Sequence, residues 1–471
     1  MRDAVISQND RQAASFNIRA GKALRILTLG LLPLLAANPA IAKVSADEAA
    51  KLKTTLTPVG AERGANKDGS IPKWEGGLTK APACFKAGGW YCDPFTADKP
   101  KFTISKANLD QYKANLTDGQ RAIFAKYGDT YKMNVYQTRR TGAFPEFVYE
   151  ATAKNAVTAE TGGGGEAISG AVLGIPFPIP KTGNEPIWNH KFRYRGVGID
   201  RWNVQAAVTT GGEANITKIR EQVKFLYDTK GITPEQLNNV GIYFMQTVTA
   251  PPRLAGTITL VHETMDQVKE ARRAWQYNPG QRRLRRAPNV GYDNPGTGAD
   301  GLRTNDQTDT FNGATDRYTW KIVGKKDMYM PYNSYALHSD KVKYKDIIKK
   351  NHINQDLPRY ELHRVWVVEA NVKAGTTHIY KKRMFYIDED TWQILAVDNY
   401  DSRLTMWRVQ ESHTVMQYDK PFANPVLESV NDLQSGRYLV QAMNNEETES
   451  VEKDYDVAFF DPSNVSKQAS K

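Results

Sequence analysis

Residues 359–401 read RYELHRVWVVEANVKAGTTHIYKKRMFYIDEDTWQILAVDNYD, and this stretch decides the fold. Long runs of β-branched and aromatic residues, broken by short polar turns, predict consecutive antiparallel strands. The clearest turn is Asp388-Glu389-Asp390. In the predicted strand 378–387, Ile379, Lys381, Arg383, Phe385 and Ile387 fall on one face, and Tyr380, Lys382, Met384 and Tyr386 on the other. Both sets carry apolar side chains, so both faces of the sheet are expected to be covered.

Outward from this segment the pattern persists. RLTMWRVQESHTVMQY (403–418) extends the meander, and RYTWKIVGKKDMYMPY (317–332) supplies a strand before it. LAGTITLVHETMD (254–266) alternates, and ARRAWQYNPGQRRLRRAP (271–288) predicts a hairpin turning at Asn278-Pro279-Gly280. Helical signals are few. Ser45 with Glu48, and Thr117 with Gln120, have capping-box spacing. Pro234 sits at a predicted first helical position, and KVKYKDIIKKNH (341–352) is a further helical candidate. No internal repeat is present. The expected fold is mainly β with minor α: a large, curved antiparallel sheet forming an incomplete barrel, covered by helices and an irregular N-terminal layer. The expected organisation is a signal peptide at 1–42, an N-terminal layer at 43–188 and a β body at 189–471, with 43–471 one structural unit.

Within the layer, LTPVGAERGANKDGSIPKWEGGL (56–78) reads as an extended segment laid over a body formed elsewhere. Residues 155–187 are the least regular, ending in the Pro-rich GIPFPIPKTGNEPIW (174–188), whose prolines forbid a helix. Such an apolar loop either covers a hydrophobic cavity or is simply pinned to the core.

The N-terminus carries the cellular address. KALRILTLGLLPLLAANPAIA (22–42) follows a basic start with a short apolar stretch and closes on Ala40-Ile41-Ala42, the pattern of a secretory signal peptide cut near Ala42. Removing residues 1–42, with five Lys/Arg and two Asp, lowers the formal charge from +11 to +8. An exported basic protein meets anionic lipid headgroups or acidic ligands rather than nucleic acid, unless the charge serves only solubility. The two cysteines, Cys84 and Cys92, lie close enough to form a disulfide in an oxidising compartment, worth roughly 2–3 kcal/mol by chain entropy.

Motifs of chemistry are missing: there is no G-x-S-x-G elbow, phosphate loop, H-E-x-x-H or dinucleotide fingerprint. The seven His are scattered without metal-ligand spacing, although His363 and His378 sit on strands that can pair. No catalytic residue, metal or cofactor is expected. Acidic residues line the C-terminal meander, Glu361 and Glu369 among them, and a facing pair would permit glycoside hydrolysis; ion pairing with neighbouring Lys and Arg explains them more cheaply. Arg272, Arg273, Arg282, Arg283, Arg285 and Arg286 crowd one predicted hairpin, suiting phosphate or carboxylate contact, or alternatively keeping an exposed hairpin soluble.

Taken together, LTPVGAERGANKDGSIPKWEGGL, DTYKMNVYQTRR, GIPFPIPKTGNEPIWNHKFRYRG, RRAWQYNPGQRRLRRAP, WKIVGKKDMYMPYNSY and the opening stretch resemble the bacterial family of domain of unknown function 1329. The resemblance implies a relation to the Lol-type carriers that sort outer-membrane lipoproteins, whose incomplete barrel holds acyl chains under a cover of helices and loops. It also implies the company of outer-membrane and transporter proteins, and no established catalytic residue. The chain is about twice the length of those carriers, the excess mostly N-terminal, which leaves room for a docked component of a larger assembly.

The expectation is therefore a periplasmic or outer-membrane-associated protein, not an enzyme, that binds a lipid or other hydrophobic molecule. The ligand would lie between the sheet and loop 170–188, against Ile175, Phe177, Ile179 and Trp188 from the loop and Trp366, Tyr380, Tyr386, Trp392 and Trp407 from the meander. A secreted hydrolase using paired carboxylates and a non-catalytic envelope scaffold are the alternatives.

Overall fold

The opening stretch folds into three antiparallel strands, Tyr360–Val372, Lys382–Asp388 and Ile394–Tyr400, with the turn at Asp388 to Asp390 between the second and third. They belong to a 16-stranded sheet in a computed structural model that describes residues 44–469. The signal-peptide reading of 22–42 lies outside the described residues.

Thirteen strands carry the architecture. A first meander comprises β1 (Gly198–Val208), β2 (Ala214–Phe225), β3 (Val240–Ala250), β4 (Ile258–Thr264), β5 (Arg273–Asn278) and β6 (Arg283–Arg286). A second comprises β7 (Tyr318–Pro331), β8 (Tyr360–Val372), β9 (Lys382–Asp388), β10 (Ile394–Tyr400), β11 (Met406–Gln417), β12 (Phe422–Asp432) and β13 (Tyr438–Met443). The last strand of the second pairs antiparallel with the first strand of the first, Tyr438 opposite Val208, which fuses the two meanders into one sheet. Short strands at Phe102–Ile104, Met133–Val135 and Val451–Glu452 extend it, and among the described residues the only parallel contact joins Tyr360 to Val135. The sheet is not closed into a barrel, and the mainly β, large-sheet expectation holds.

Both faces of the second meander are covered. On one, the helix α1 (Asp118–Tyr127) packs Ile123 and Phe124 with Tyr360 and Val409. The capping box of Thr117 and Gln120 starts this helix as its spacing predicts, and Gly119 lets the start approach closely. A Cβ at Gly119 would stand 2.1 Å from Asp398 Oδ1. On the opposite face, the helix α2 (Glu146–Thr158) and the segment 173–194 pack against Val368, Phe385, Ile387 and Val397.

Three local readings are corrected. Helix α2 has no counterpart among the sequence expectations. A helix α3 (Asn184–Lys191) forms within the Pro-rich stretch, because Pro186 falls in its first turn, where the lost N–H has no intrahelical partner to miss. The helix expected over 341–352 shrinks to Tyr344–Ile347. The N-terminal layer is also only part of the cover. The irregular segment 287–317, between β6 and β7, crosses the same face as α2 and buries Ala299, Leu302 and Phe311 on the sheet.

Candidate ligand-binding site

Strand register assembles the site. Across the first meander Ile199, Val223, Phe244, Val261 and Ala274 stand opposite one another in turn, which makes an apolar row five strands wide. One step along, Arg201, Glu221, Gln246, Thr259 and Gln276 form a polar row, because the pleat brings every second residue to the same face. On the other flank Phe225 and Ile242 lead to Glu263. The apolar row is thus a floor bounded by charge on both sides.

Over this floor lies the segment 287–317, and between them run two adjoining narrow slots that share Ile242, Phe244, Thr308 and Asn312. Their empty volumes are about 520 and 600 Å³, open space at the mouths included. The first is bounded also by Val261, Glu263, Arg272, Val290 and Arg303; the second by Val223, Phe225, Arg195, Arg201, Asp309 and Phe422.

Charge around the slots is unevenly matched. Glu263, buried, accepts from Lys191 at 2.8 Å and pairs with Arg272 at 2.5 Å. Burial works against this carboxylate, yet Arg272 and Lys191 hold its pKa below the ordinary value. Asp309 likewise serves two guanidiniums, Arg193 at 2.7 Å and Arg195 at 2.5 Å, which against burial hold it well below the usual carboxylate range. Glu221 takes Arg201 at 2.7 Å and Asn203 at 2.7 Å. Nearby, burial pushes Glu428 up to about 7 and Asp228 well above its ordinary value.

The nine residues expected to line a ligand cavity all lie elsewhere. Ile175 and Trp392 are fully buried in one core cluster with Trp366 against them; Trp392 donates to Val59 O at 2.9 Å. Phe177 and Trp188 pack solidly over the end of β1–β3, and Trp188 donates to Gly165 O. Phe177 and Ile179 edge a separate small recess beside Val44. Tyr380 accepts from Arg408 at 3.0 Å, Tyr386 donates to Asp398 at 3.0 Å, and Trp407 donates to Asp432 at 3.0 Å. Ile175, Phe177, Trp188 and Trp392 fasten the covers to the sheet, while Tyr386 and Trp407 tie neighbouring strands; large aromatics are the residues most often used as core, so size alone could not mark the cavity.

The arginine cluster divides as well. Arg282, Arg283 and Arg285 are exposed on the β5–β6 hairpin, Arg286 stacks on Trp275 at 4.8 Å, and Arg273 pairs with Glu270. Arg272 alone turns inward to Glu263 and the slot. Arg195, Arg201 and Arg303, which complete the cationic lining, gave no sequence signal because each is isolated along the chain.

The other chemical candidates resolve into structure. Glu361 and Glu369 share β8, eight residues or roughly 26 Å apart along a strand, too far for paired-carboxylate hydrolysis. Glu361 is held by Arg359 and His363, and Glu369 by Lys382. His363 and His378 do not meet: His378 pairs with Asp306 at 3.0 Å. Instead the β8–β9 register gathers His363, Asp388 and Asp390, with possible ligand atoms within 4.8 Å of one another. Both oxygens of Asp390 are taken by Arg140, at 2.7 and 2.9 Å, so a guanidinium already balances this cluster. The Cys84–Cys92 disulfide is present.

The profile of a family described as protein of unknown function, DUF1329, matches residues 103–466. The uncharacterized protein PA3922 of Pseudomonas aeruginosa is 51% identical over 437 residues, covering 93% of this chain and 96% of that protein. Among solved structures, a putative outer membrane lipoprotein-sorting protein domain from Vibrio parahaemolyticus aligns at 14% identity and a TM-score of 0.40, covering 60% of this chain and 97% of that one. A LolA superfamily protein from Nitrosomonas europaea aligns at 11% identity and a TM-score of 0.37, covering 60% and 99%.

Proposed function

This chain belongs to the DUF1329 family, whose name states no activity, and from its own architecture we propose that it is an exported envelope protein that binds a hydrophobic molecule in the slots over β1–β4. The observation that carries the reading is the apolar row Ile199–Val223–Phe244–Val261, which lines the slots beneath 287–317 and on its other side joins the buried cluster of Trp188 and Phe192. A dry groove holding an acyl chain gains about 0.8 kcal/mol per buried methylene and requires no catalytic group. Export is supported by the signal-peptide pattern of 22–42 and by a disulfide suited to an oxidising compartment. In this reading the protein works in the periplasm or on the periplasmic face of the outer membrane, beside membrane proteins that hand over or receive the ligand. Among the described residues no helix is long and apolar enough to cross a membrane.

The test is native mass spectrometry with lipid extraction on protein purified without detergent, alongside a Val261→Trp variant that fills the slot. A stoichiometric apolar passenger, lost from the variant while the fold is retained, is the expected result. A wild-type protein that stays empty after exposure to envelope lipids sinks the reading and leaves a scaffold.

A further inference from the structure

Three carboxylates around the slots serve four guanidiniums and a lysine: Glu263 takes Arg272 and Lys191, Asp309 takes Arg193 and Arg195, and Glu221 takes Arg201. A fifth guanidinium, Arg303, has no carboxylate within ion-pair distance among the described residues. It is only 4% exposed, borders the slot, and donates one long bond from Nη1 to Thr304 O at 3.4 Å. Its Nε is buried without a hydrogen-bond partner, as is the Nε of Arg272 beside it in the same slot. The further acids near Arg303 do not repair the deficit. Glu428 is occupied by the Thr310 N–H and by Gln441, and Asp306 is held by Arg383 and His378.

A buried, unpaired guanidinium is costly, and proteins keep one chiefly where another anion completes it. The fork of N–H donors matches a carboxylate or phosphate in a two-point contact. The slot that Arg303 borders also has an apolar floor, so whatever completes Arg303 is attached to hydrocarbon.

We propose that the ligand is a single amphiphile with an anionic head, carboxylate or phosphate, seated on Arg303 with Arg272 alongside, and with its apolar tail along the Val223–Phe244–Val261 row. This rests on the reading of the slots as a hydrophobic-ligand site and names the class of ligand they take. Arg303 discriminates by charge, while the floor supplies affinity common to charged and neutral tails.

The test compares four probes on the purified full chain by calorimetry: dodecanoate, dodecyl phosphate, dodecanol and inorganic phosphate. Dodecanoate or dodecyl phosphate is expected to bind at least tenfold tighter than dodecanol, and inorganic phosphate at least a hundredfold weaker than dodecyl phosphate. In Arg303→Met the preference for the charged head should collapse to within threefold while dodecanol affinity is kept. The same variant should melt no lower than wild type, because it removes an uncompensated buried charge. Binding of both dodecanoate and dodecyl phosphate no tighter than dodecanol by the wild type overturns the anionic head and leaves the hydrophobic site standing. Inorganic phosphate binding as tightly as dodecyl phosphate overturns the amphiphile, making this a site for free anions. Failure of all three dodecyl probes overturns the hydrophobic site itself. The wild-type comparison decides the matter even where Arg303→Met does not fold.

Discussion

Arg140→Met should be among the most damaging single substitutions away from the slot. The buried Arg140 guanidinium grips both oxygens of Asp390, donates to Glu62 O at 2.8 Å, and lies 3.3–3.4 Å from the carbonyls of Arg63, Gly64 and Pro72. It therefore locks the extended segment 56–78 onto the β9–β10 turn. Asp390 has no other cation partner among the described residues, whereas Glu389 keeps Lys325 at 2.9 Å and Arg364 at 3.3 Å. Removing one partner of a buried pair costs about 3–5 kcal/mol, because the other charge is left without compensation. For roughly 430 residues the unfolding entropy is about 0.9 kcal/mol/K, so the melting temperature should fall by roughly 3–6 °C. Differential scanning calorimetry measures that fall. Limited proteolysis should show cleavage opening first within 56–78. The double variant Arg140→Met/Asp390→Asn removes the orphaned charge and should recover about half the loss. A fall under 1 °C, or no recovery in the double variant, would falsify the view that this acidic turn is a structural clamp.

Three further outcomes follow from particular residues. Replacing Cys84 and Cys92 with Ser frees an eight-residue separation and should cost about 2–3 kcal/mol by chain entropy, read as a lower urea midpoint; an unchanged midpoint counts against the staple. Asp398 and Glu428 have folded pKa values near 7, raised by burial above unfolded values near 4, so their contribution to stability is complete below about pH 4 and lost as pH rises through 7. Asp306 and Asp309, held low by their cations against burial, act oppositely and lose their contribution as pH falls below 4. Melting temperatures should therefore peak in weak acid, higher at pH 5.5 than at pH 8 or pH 3, and a steady rise from 5.5 to 8 contradicts this assignment. Gly60 has φ +95° and a Cβ there would stand 1.7 Å from Pro178 O, so Gly60→Ala should destabilise by at least the 1–3 kcal/mol of backbone strain; a melting temperature equal to wild type sinks that account.

Much of the local structure was legible in the chain because its causes are local. Runs of β-branched and aromatic residues between polar turns marked the meander around 359–418, the capping boxes at Ser45–Glu48 and Thr117–Gln120 formed, and a short helix opens on Pro234. The Cys84–Cys92 bridge needed only two thiols a short loop apart. The site was not legible, because nothing local makes it. Arg272 and Arg283 look alike in one arginine-rich hairpin, and only the neighbouring strand's Glu263 turns the first inward while the second stays in solvent. Val223, Phe244 and Val261 are ordinary strand residues until register sets them side by side, and Trp188 and Trp392, the most conspicuous candidates, are consumed as anchors.

The sequence by itself determined that this protein is mainly β, stapled once, and built of consecutive antiparallel strands, since alternation, caps and turns act over a few residues. Only the tertiary structure decided that β13 pairs with β1, that 287–317 roofs the first meander, and that Arg303 is buried there without a counterion. Those outcomes depend on which strands become neighbours and on which charges lose their water, and no spacing along a chain encodes either.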